Sequence, residues 1–438
     1  LKKFFEEENP TAHTIAPSST VTSKDYKPWL NGSRLTKMDW KYHDRLHEYL
    51  RKIKRFNPNV LNEIAKESEE ILNLCGDPNT DDNWLRKGLV FGYVQSGKTT
   101  SYADVIARSM DAGYKVFIIM AGITNSLRLQ TQERLEDYVI GQITPRNGRY
   151  ASEIKILPSP LALTREQDFN KTRDIAINFG NETGTIFIIK KNVSVLKSLI
   201  KELDNMRGNR KIDLPTLIID DEADNATINT ATEKSKTNIT AINNNIRLLL
   251  SCFSKRVYLG YTATPFANIF IDHETDEQLI DSFENSEDLF PSNFIKSIPA
   301  PNYYVGANRL FHSNEQSIEN SLKHTVGVIA RHNFHPILPL KHKKHDAILL
   351  KELPSSLYTA IKYFYLFCAI QHATGKWDRH HTMMINVSRF NAVQDAVQLE
   401  VNTFRKKILN SIKCSAGLNN TSDELYSSLR DLYFHGSK

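Results

Sequence analysis

Two segments of this chain carry side chains whose types and spacing suit the chemistry of a nucleoside triphosphate. The run from Gly92 to Thr99 reads GYVQSGKT and fits G-x-x-x-x-G-K-[ST], with a further hydroxyl at Thr100. In that pattern glycines let backbone N–H groups close around phosphate, the lysine neutralises the outer phosphates and the hydroxyl holds Mg²⁺. The expected nucleotide contacts are Gly92, Gln95, Ser96, Gly97, Lys98, Thr99 and Thr100. Far downstream, Leu217 to Asp224 reads LIIDDEAD, an apolar run that ends in carboxylates. The carboxyl end of a strand is where an open α/β sheet places its ligand, and Mg²⁺ prefers carboxylate and phosphate oxygens.

Two carboxylate registers compete, Asp220 with Asp221 and Asp221 with Glu222. Hydrolysis favours the second, because one carboxylate should stand behind the metal while a longer neighbour positions and deprotonates the attacking water. Thr99 and Asp221 are then the candidate Mg²⁺ ligands, and Lys98, Asp221 and Glu222 the candidate catalytic set, with Asp220 closing the strand or supporting its neighbours. A third segment, Gly260 to Pro265, reads GYTATP after another apolar run. Its Thr262 and Thr264 hydroxyls can couple to the acidic motif. Alone, the segment would read as a strand-terminal turn halted by Pro265.

These side chains need a scaffold, and the sequence supplies one. Between residues 86 and 265, short β-branched runs at Gly88–Gly92, Lys115–Ala121, Thr185–Ile189, Thr216–Asp220 and Val257–Thr262 alternate with helical patterns. Such alternation implies an α/β fold, a parallel sheet with helices on both faces. One crossover helix follows Thr99, with Tyr102, Val105 and Ile106 as its apolar stripe and Gly113 as its stop. A second spans Ser194–Met206, with Leu196, Leu199, Ile200 and Leu203 on one face. Before the sheet, residues 35–85 form a helical N-terminal region, and residues 1–34 an extended arm whose order requires a partner surface. Residues 266–352, acidic and proline-rich, read as an insertion or linking subdomain. From residue 353 a helix with Leu357, Ile361 and Phe364 leads toward an expected strand at Thr382–Val387. The 353–438 region is short against ordinary domains of about 100–150 residues.

Composition narrows the classes. The 438 residues are 40% apolar, enough for several cores, and the net charge of +6 permits nucleic-acid contact without requiring it. No run approaches the ~18 apolar residues of a membrane helix, and the N-terminus lacks a signal-peptide pattern. Leu1 in place of Met suggests a start inside a longer protein. Cys75, Cys252, Cys368 and Cys414 lack C-x-x-C spacing and fit buried thiols in a reducing cytoplasm. His332, His335, His342 and His345 have ligand-like spacing, but Lys341, Lys343 and Lys344 share the segment and oppose a cation. Asp77-Pro78 and scattered Glu-x-Lys pairs do not compose a nuclease site.

In this order the three motifs resemble motifs I, II and III of superfamily 2 helicases. The runs AGITNSLRLQTQ (Ala121 to Gln132), IIKKN (Ile188 to Asn192) and MINVSRF (Met384 to Phe390) are similar to the Z-one domain family, across most of residues 35–438. That prokaryotic family lies beside methyltransferases and other restriction-modification or phage-defence components and is classed as an endonuclease. The resemblance implies a P-loop, RecA-like first lobe at 86–265, a partial second RecA-like lobe at 353–438, and an ATP- and Mg²⁺-dependent motor acting on DNA. Methyltransferase or nuclease subunits are its implied partners, with no membrane. By the same analogy Arg128, Gln130 and Arg134 lie along the DNA backbone, against the alternative of a helix facing solvent. One departure stands out: the string Gln-x-x-Gly-Arg, which brings an arginine finger in such motors, is missing, and Arg389 falls too early to replace it. The expectation is a second lobe cut short at Lys438, with a finger from beyond it or from another subunit, and slow turnover of bound ATP. Two rival readings are a nucleotide-dependent switch or scaffold that recruits a nuclease, and an endonuclease in its own right.

Overall fold

A computed structural model of the chain describes residues 18–92, 97–141, 182–208, 210–229, 240–271, 276–278, 285–298, 352–375, 380–418 and 422–435. Residues 157–158, 161–162, 164, 168–169, 179–180, 338 and 341–343 are described between them. Two compact units emerge, Leu1–Gly306 and Ala307–Lys438.

The first unit is an α/β sandwich around one sheet. In chain order its elements are β1 (Thr20–Thr22), α1 (Gly32–Lys37), α2 (Lys41–Lys52), α3 (Pro58–Leu74), β2 (Trp84–Gly92), α4 (Lys98–Ala112), β3 (Val116–Ala121) and α5 (Asn125–Leu135). A π-helical turn (Glu136–Ile140) extends α5, followed by β4 (Leu161–Ala162), β5 (Thr185–Ile189), α6 (Val193–Arg207), β6 (Thr216–Asp221), α7 (Ala241–Ser251), β7 (Lys255–Thr262) and the short α8 (Phe266–Ile269). A small hairpin of β8 (Asp276–Gln278) and β9 (Asn285–Glu287) precedes β10 (Phe294–Ile298).

The eight-stranded sheet runs β1-β10-β2-β7-β6-β3-β5-β4. All neighbours are parallel except β1, which lies antiparallel on β10. The helical crossovers that parallel strands demand cover both faces. Side chains alternate across β3. Phe117 and Ile119 join a core with Val105 and Ile106 of α4, Leu46 and Leu50 of α2 and Ile71 of α3. Val116, Ile118 and Met120 face Leu196, Leu199 and Leu203 of α6 and Leu249 of α7. Each such fully buried aliphatic side chain contributes about 1.5–3 kcal/mol relative to exposure.

The five expected strands are present, with β2, β6 and β7 running longer than expected, β5 as expected and β3 one residue shorter, and the crossover helix after the phosphate loop stops at Gly113, in the left-handed region at φ +110. Three further strands, β1, β4 and β10, join the sheet. The segment Phe294–Ile298 pairs with β2, and Phe294 sits directly across from Gly88, where a Cβ would come 2.1 Å from its ring. Lys296, in the middle of β10, is buried and paired with Glu70 of α3 at 2.5 Å, so a charged residue occupies an interior position. The arm's described residues, 18–34, lie against the sheet and α3, and its residues 1–17 lie outside the described residues. Thr20–Thr22 pairs with β10, and the backbone N–H groups of Trp29 and Leu30 donate to Asn73 Oδ1 at 3.0 and 2.9 Å.

The N-terminal helices are tied to α4 by polar contacts as well as packing. The buried Asp104 carboxylate receives Ser68 Oγ at 2.6 Å and faces His43 Nδ1 at 2.7 Å and His47 Nε2 at 3.1 Å. Arg108 donates to His43 Nε2 at 3.1 Å, which leaves the His43 proton on Nδ1, toward Asp104. Burial holds the His43 ring below its ordinary pKa, and although burial pushes Asp104 up, its bonds to the two histidines hold its carboxyl below the usual carboxylate range.

The second unit is helical in its described residues: α9 (Ser355–Ala373), α10 (Asn391–Ser415) and α11 (Glu424–His435) pack around Ile361, Ile408 and Leu429. The expected strand at Thr382–Val387 is not formed. The segment has no regular secondary structure and places Met383 and Ile385 on the helices, which accounts for its alternating pattern, but among the described residues no strand lies beside it to complete a ladder. Cys75 and Cys252 are buried as expected, whereas Cys368 is half-buried and Cys414 exposed; all four are free thiols. Of the four histidines singled out, His342 is described, with Nε2 2.7 Å from Ser388 Oγ, and the other three lie outside the described residues.

Candidate active site

Sheet order brings the three motifs together. β7 lies between β2 and β6, so Phe91 is level with Thr262, and Asp221 with Tyr261 on one side and Ala121 on the other. The phosphate loop, the threonine segment and the acidic motif therefore leave the sheet at the carboxyl ends of three adjacent strands.

Gly92 closes β2, and Gly97 caps α4 in a left-handed conformation (φ +92), its carbonyl accepting from the N–H groups of Thr100 and Ser101 at 2.9 and 3.0 Å. Gln95 and Ser96 lie outside the described residues. Lys98 and Thr99 follow on the first turn, half-buried, with Thr100 buried behind them. Lys98 Nζ donates to the Gly92 carbonyl at 3.2 Å, reaching back across the loop. Burial lowers the Lys98 pKa, and the charges of Asp221, Asp224 and Glu222 oppose that shift. The helix end adds partial positive charge of its own.

The acidic motif divides into side chains of different fate. Asp220 is fully buried and paired with Lys191 Nζ at 3.0 Å, while Thr227 Oγ1 and Tyr258 Oη donate to it at 2.8 Å each. The next residue points to the other face of the strand. Asp221 is half-buried and accepts from Tyr102 Oη at 3.2 Å and from the Glu222 N–H at 3.1 Å. Burial raises its pKa, helped by the neighbouring Glu222 charge and opposed by the Tyr102 hydroxyl and Lys191. Glu222 is exposed and left-handed (φ +55), a conformation uncommon for a residue with a side chain and characteristic of positions that must aim one. Lys191 holds that turn from behind, donating to the carbonyls of Glu222 at 2.6 Å and Asn225 at 2.9 Å. The Glu222 carboxylate lies over Gly122, at the end of β3, 3.6 Å from where a Cβ would stand.

Asp224, the last residue of the acidic motif, meets the threonine segment. Thr262 Oγ1 donates to Asp224 Oδ1 at 2.7 Å, Thr264 Oγ1 donates to Asp224 Oδ2, and Thr264 N–H donates to Thr262 Oγ1 at 2.9 Å. Asn268 of α8 adds a bond to the Ala223 carbonyl at 3.0 Å. Hydrogen bonds thus join the segment after β7 to the acidic turn.

The three residues expected on DNA separate. Arg128 is buried, its guanidinium bound to the Thr164 carbonyl at 2.9 Å and near Gln132 Oε1 at 3.4 Å; this corrects its placement as a phosphate contact, because the charge is spent inside the lobe. Gln130 is exposed. Arg134 is exposed too, but its guanidinium donates to Thr99 Oγ1 at 3.1 Å, which places it beside the phosphate loop.

Sequence reasoning passed over several of these groups. Tyr102 was legible as an apolar stripe residue, and only the strand order shows that its hydroxyl reaches Asp221. Lys191 lay in a quoted run with no role attached; a pair of lysines after a buried strand was the available signal. The side chains present fit a Mg²⁺–triphosphate. A cationic nitrogen, a hydroxyl at a helix N-terminus, a half-buried carboxylate and an exposed longer one converge at the carboxyl ends of the strands, which is the donor set such a ligand takes.

Two family models match parts of the chain. Residues 54–267 match the family model "Type III restriction enzyme, res subunit", and residues 356–437 match the Z1 domain. No curated protein matches the chain. Among solved structures it is similar to the DUF1998 helicase MrfA bound to DNA, at 13% identity and a TM-score of 0.30, over 60% of this chain and 31% of that one. The same helicase bound to DNA and AMPPNP gives 14% identity, a TM-score of 0.30 and the same coverage, 60% and 31%. The chain thus spans about a third of the length of the structures it matches. Among the described residues no helix is long and apolar enough to cross a membrane.

Proposed function

We propose that this superfamily 2 helicase-like protein with a Z1 domain binds ATP with Mg²⁺ at the carboxyl ends of β2, β7 and β6 and hydrolyses it to drive movement along DNA. One observation carries the reading: Asp224 of the acidic motif is held by both Thr262 and Thr264, so the hydrolytic turn and the segment leaving the next strand form one mechanical piece. A site that only bound nucleotide would not need that link.

Lys98 neutralises charge on the outer phosphates, and backbone N–H groups at the start of α4 face them. Mg²⁺, when bound, offsets the charge that develops on the phosphoryl oxygens, with Thr99 and Asp221 as the side chains to hold it. Tyr102 fixes the orientation of Asp221 through its hydroxyl. Glu222, exposed and aimed by its left-handed turn, takes a proton from the attacking water. Thr262 and Thr264 pass the resulting shift in Asp224 to α8 and the surface beyond it.

The DNA substrate is supported by the likeness of residues 54–267 to a restriction-enzyme subunit, and with it a place in restriction or anti-phage defence alongside methyltransferase or nuclease subunits. Free thiols fit work in the cytoplasm. The test is nucleotide binding and turnover in two variants. Lys98→Ala should lose ATP binding, and Glu222→Gln should bind ATP and not hydrolyse it. Undiminished hydrolysis by Glu222→Gln would overturn the assignment of the base. Triplex displacement on duplex DNA then separates a translocating motor from a nucleotide-dependent scaffold, which would bind DNA and leave the third strand in place.

A further inference from the structure

Helix α5 presents two different faces. Thr131 and Leu135 are buried, and Arg134, one turn on from Thr131, extends toward α4. Leu129, Gln130 and Glu133 look outward. The Arg134 guanidinium ends on Thr99 Oγ1 at 3.1 Å, its single hydrogen bond among the described residues. The π-helical turn that follows fixes this approach: its Tyr138 is buried against Tyr49 of α2, with ring centroids 5.7 Å apart, and Arg45 donates to the Tyr138 carbonyl at 2.6 Å. A charged fork on a braced helix thus reaches the hydroxyl assigned to Mg²⁺.

Chemistry decides what the fork does when nucleotide arrives. A guanidinium cannot keep its bond to a hydroxyl whose oxygen lone pair has turned to a divalent cation, and the two positive charges repel. The nearest favourable acceptors are then phosphate oxygens, which suit the planar fork better than any other ligand of this size. We propose that Arg134 is a phosphate-binding residue of the nucleotide site, donated by the same lobe that carries the phosphate loop. It holds the Thr99 hydroxyl in the nucleotide-free protein and passes to an outer phosphate oxygen of the bound triphosphate. The inference rests on the reading of Gly92–Thr99 as an ATP site. It also removes Arg134 from the DNA-facing set, leaving Gln130.

Three variants of the full chain test this: Arg134→Ala, Arg134→Lys and Arg134→Gln. Dissociation constants for ATP and ADP are measured by nucleotide titration, with kcat and KM from steady-state hydrolysis and DNA affinity measured without nucleotide. Loss of a charge-assisted phosphate contact should weaken ATP about tenfold in Arg134→Ala, with ADP affected less, and Arg134→Lys should recover part of the loss. Arg134→Gln retains a donor for Thr99 without the charge and should behave like Arg134→Ala. DNA affinity should not change. ATP affinity restored by Gln would reduce Arg134 to a support for Thr99 and overturn the proposal, as would an unchanged ATP affinity with weakened DNA binding. Lys98→Ala is the separate control: if it binds ATP like the unaltered protein, the site itself has been misread, whatever Arg134 does.

Discussion

Asp220 and Asp221 are consecutive on one strand, yet they sit in opposite regimes. Behind the sheet, Asp220, Lys191, Thr227 and Tyr258 form a buried set in which the carboxylate's neighbours are all protein groups. In front, Lys98, Thr99 and Asp221 are half-buried and Glu222 is exposed. A strand turns consecutive side chains to opposite faces, so one acidic run can build both a support and a reaction surface. The contrast teaches how to separate the two in a motif of four acidic residues: burial against a cation and hydroxyl donors marks the support, and exposure beside the phosphate loop marks the chemistry.

Breaking the support should have the largest effect on the fold. Lys191→Ala leaves Asp220 buried without its cation, and such losses typically run to about 3–5 kcal/mol. Urea unfolding should show that drop, and the double variant with Asp220→Asn should recover much of it. A loss under ~1 kcal/mol would mean that the two regions are less distinct than their burial indicates. On the open side, Glu222→Gln should leave unfolding unchanged within ~0.5 kcal/mol while hydrolysis falls by about 10²- to 10⁴-fold. Equal effects on stability and rate would erase the contrast.

The Thr262→Val and Thr264→Val pair comes next. Removing both hydroxyls from Asp224 should cost about 1–3 kcal/mol in stability and uncouple the motor, so that ATP is still bound while DNA no longer changes the hydrolysis rate. Tyr102→Phe should have the smallest effect and the most specific one. Burial holds the Asp221 carboxyl above its ordinary range, and the Tyr102 hydroxyl pulls it back down. Asp221 must be ionised to hold Mg²⁺, so losing that donor should move the acid limb of the pH–rate profile to higher pH. A limb that moves to lower pH, or not at all, would detach Tyr102 from the site.

The motifs and the strands that carry them were legible because both rest on local pattern. Gly92–Thr99 and Leu217–Asp224 have the right residue types at the right spacing, and the β-branched runs mark their strands. Strand β10 was not legible, because Lys296 interrupts its apolar alternation and is made tolerable only by Glu70, more than two hundred residues earlier in the chain. Residues 382–387 failed in the opposite direction: their alternation is real, but it serves a helical neighbour. Arg128 and Arg134 show the remaining limit. One helix carries both, and sequence spacing alone could not say that one turns into the lobe and the other toward Thr99.

The measurement that bears most directly on the central claim is the rate of ATP hydrolysis by the full-length protein with no nucleic acid, with single-stranded DNA and with duplex DNA. The account predicts stimulation by one of the two DNA forms, retained in Arg128→Lys and lost when Thr262 and Thr264 are both replaced by Val. A rate that is the same in all three conditions would contradict it, and would leave Gly92–Thr99 and Asp221–Glu222 as a nucleotide switch in place of a motor.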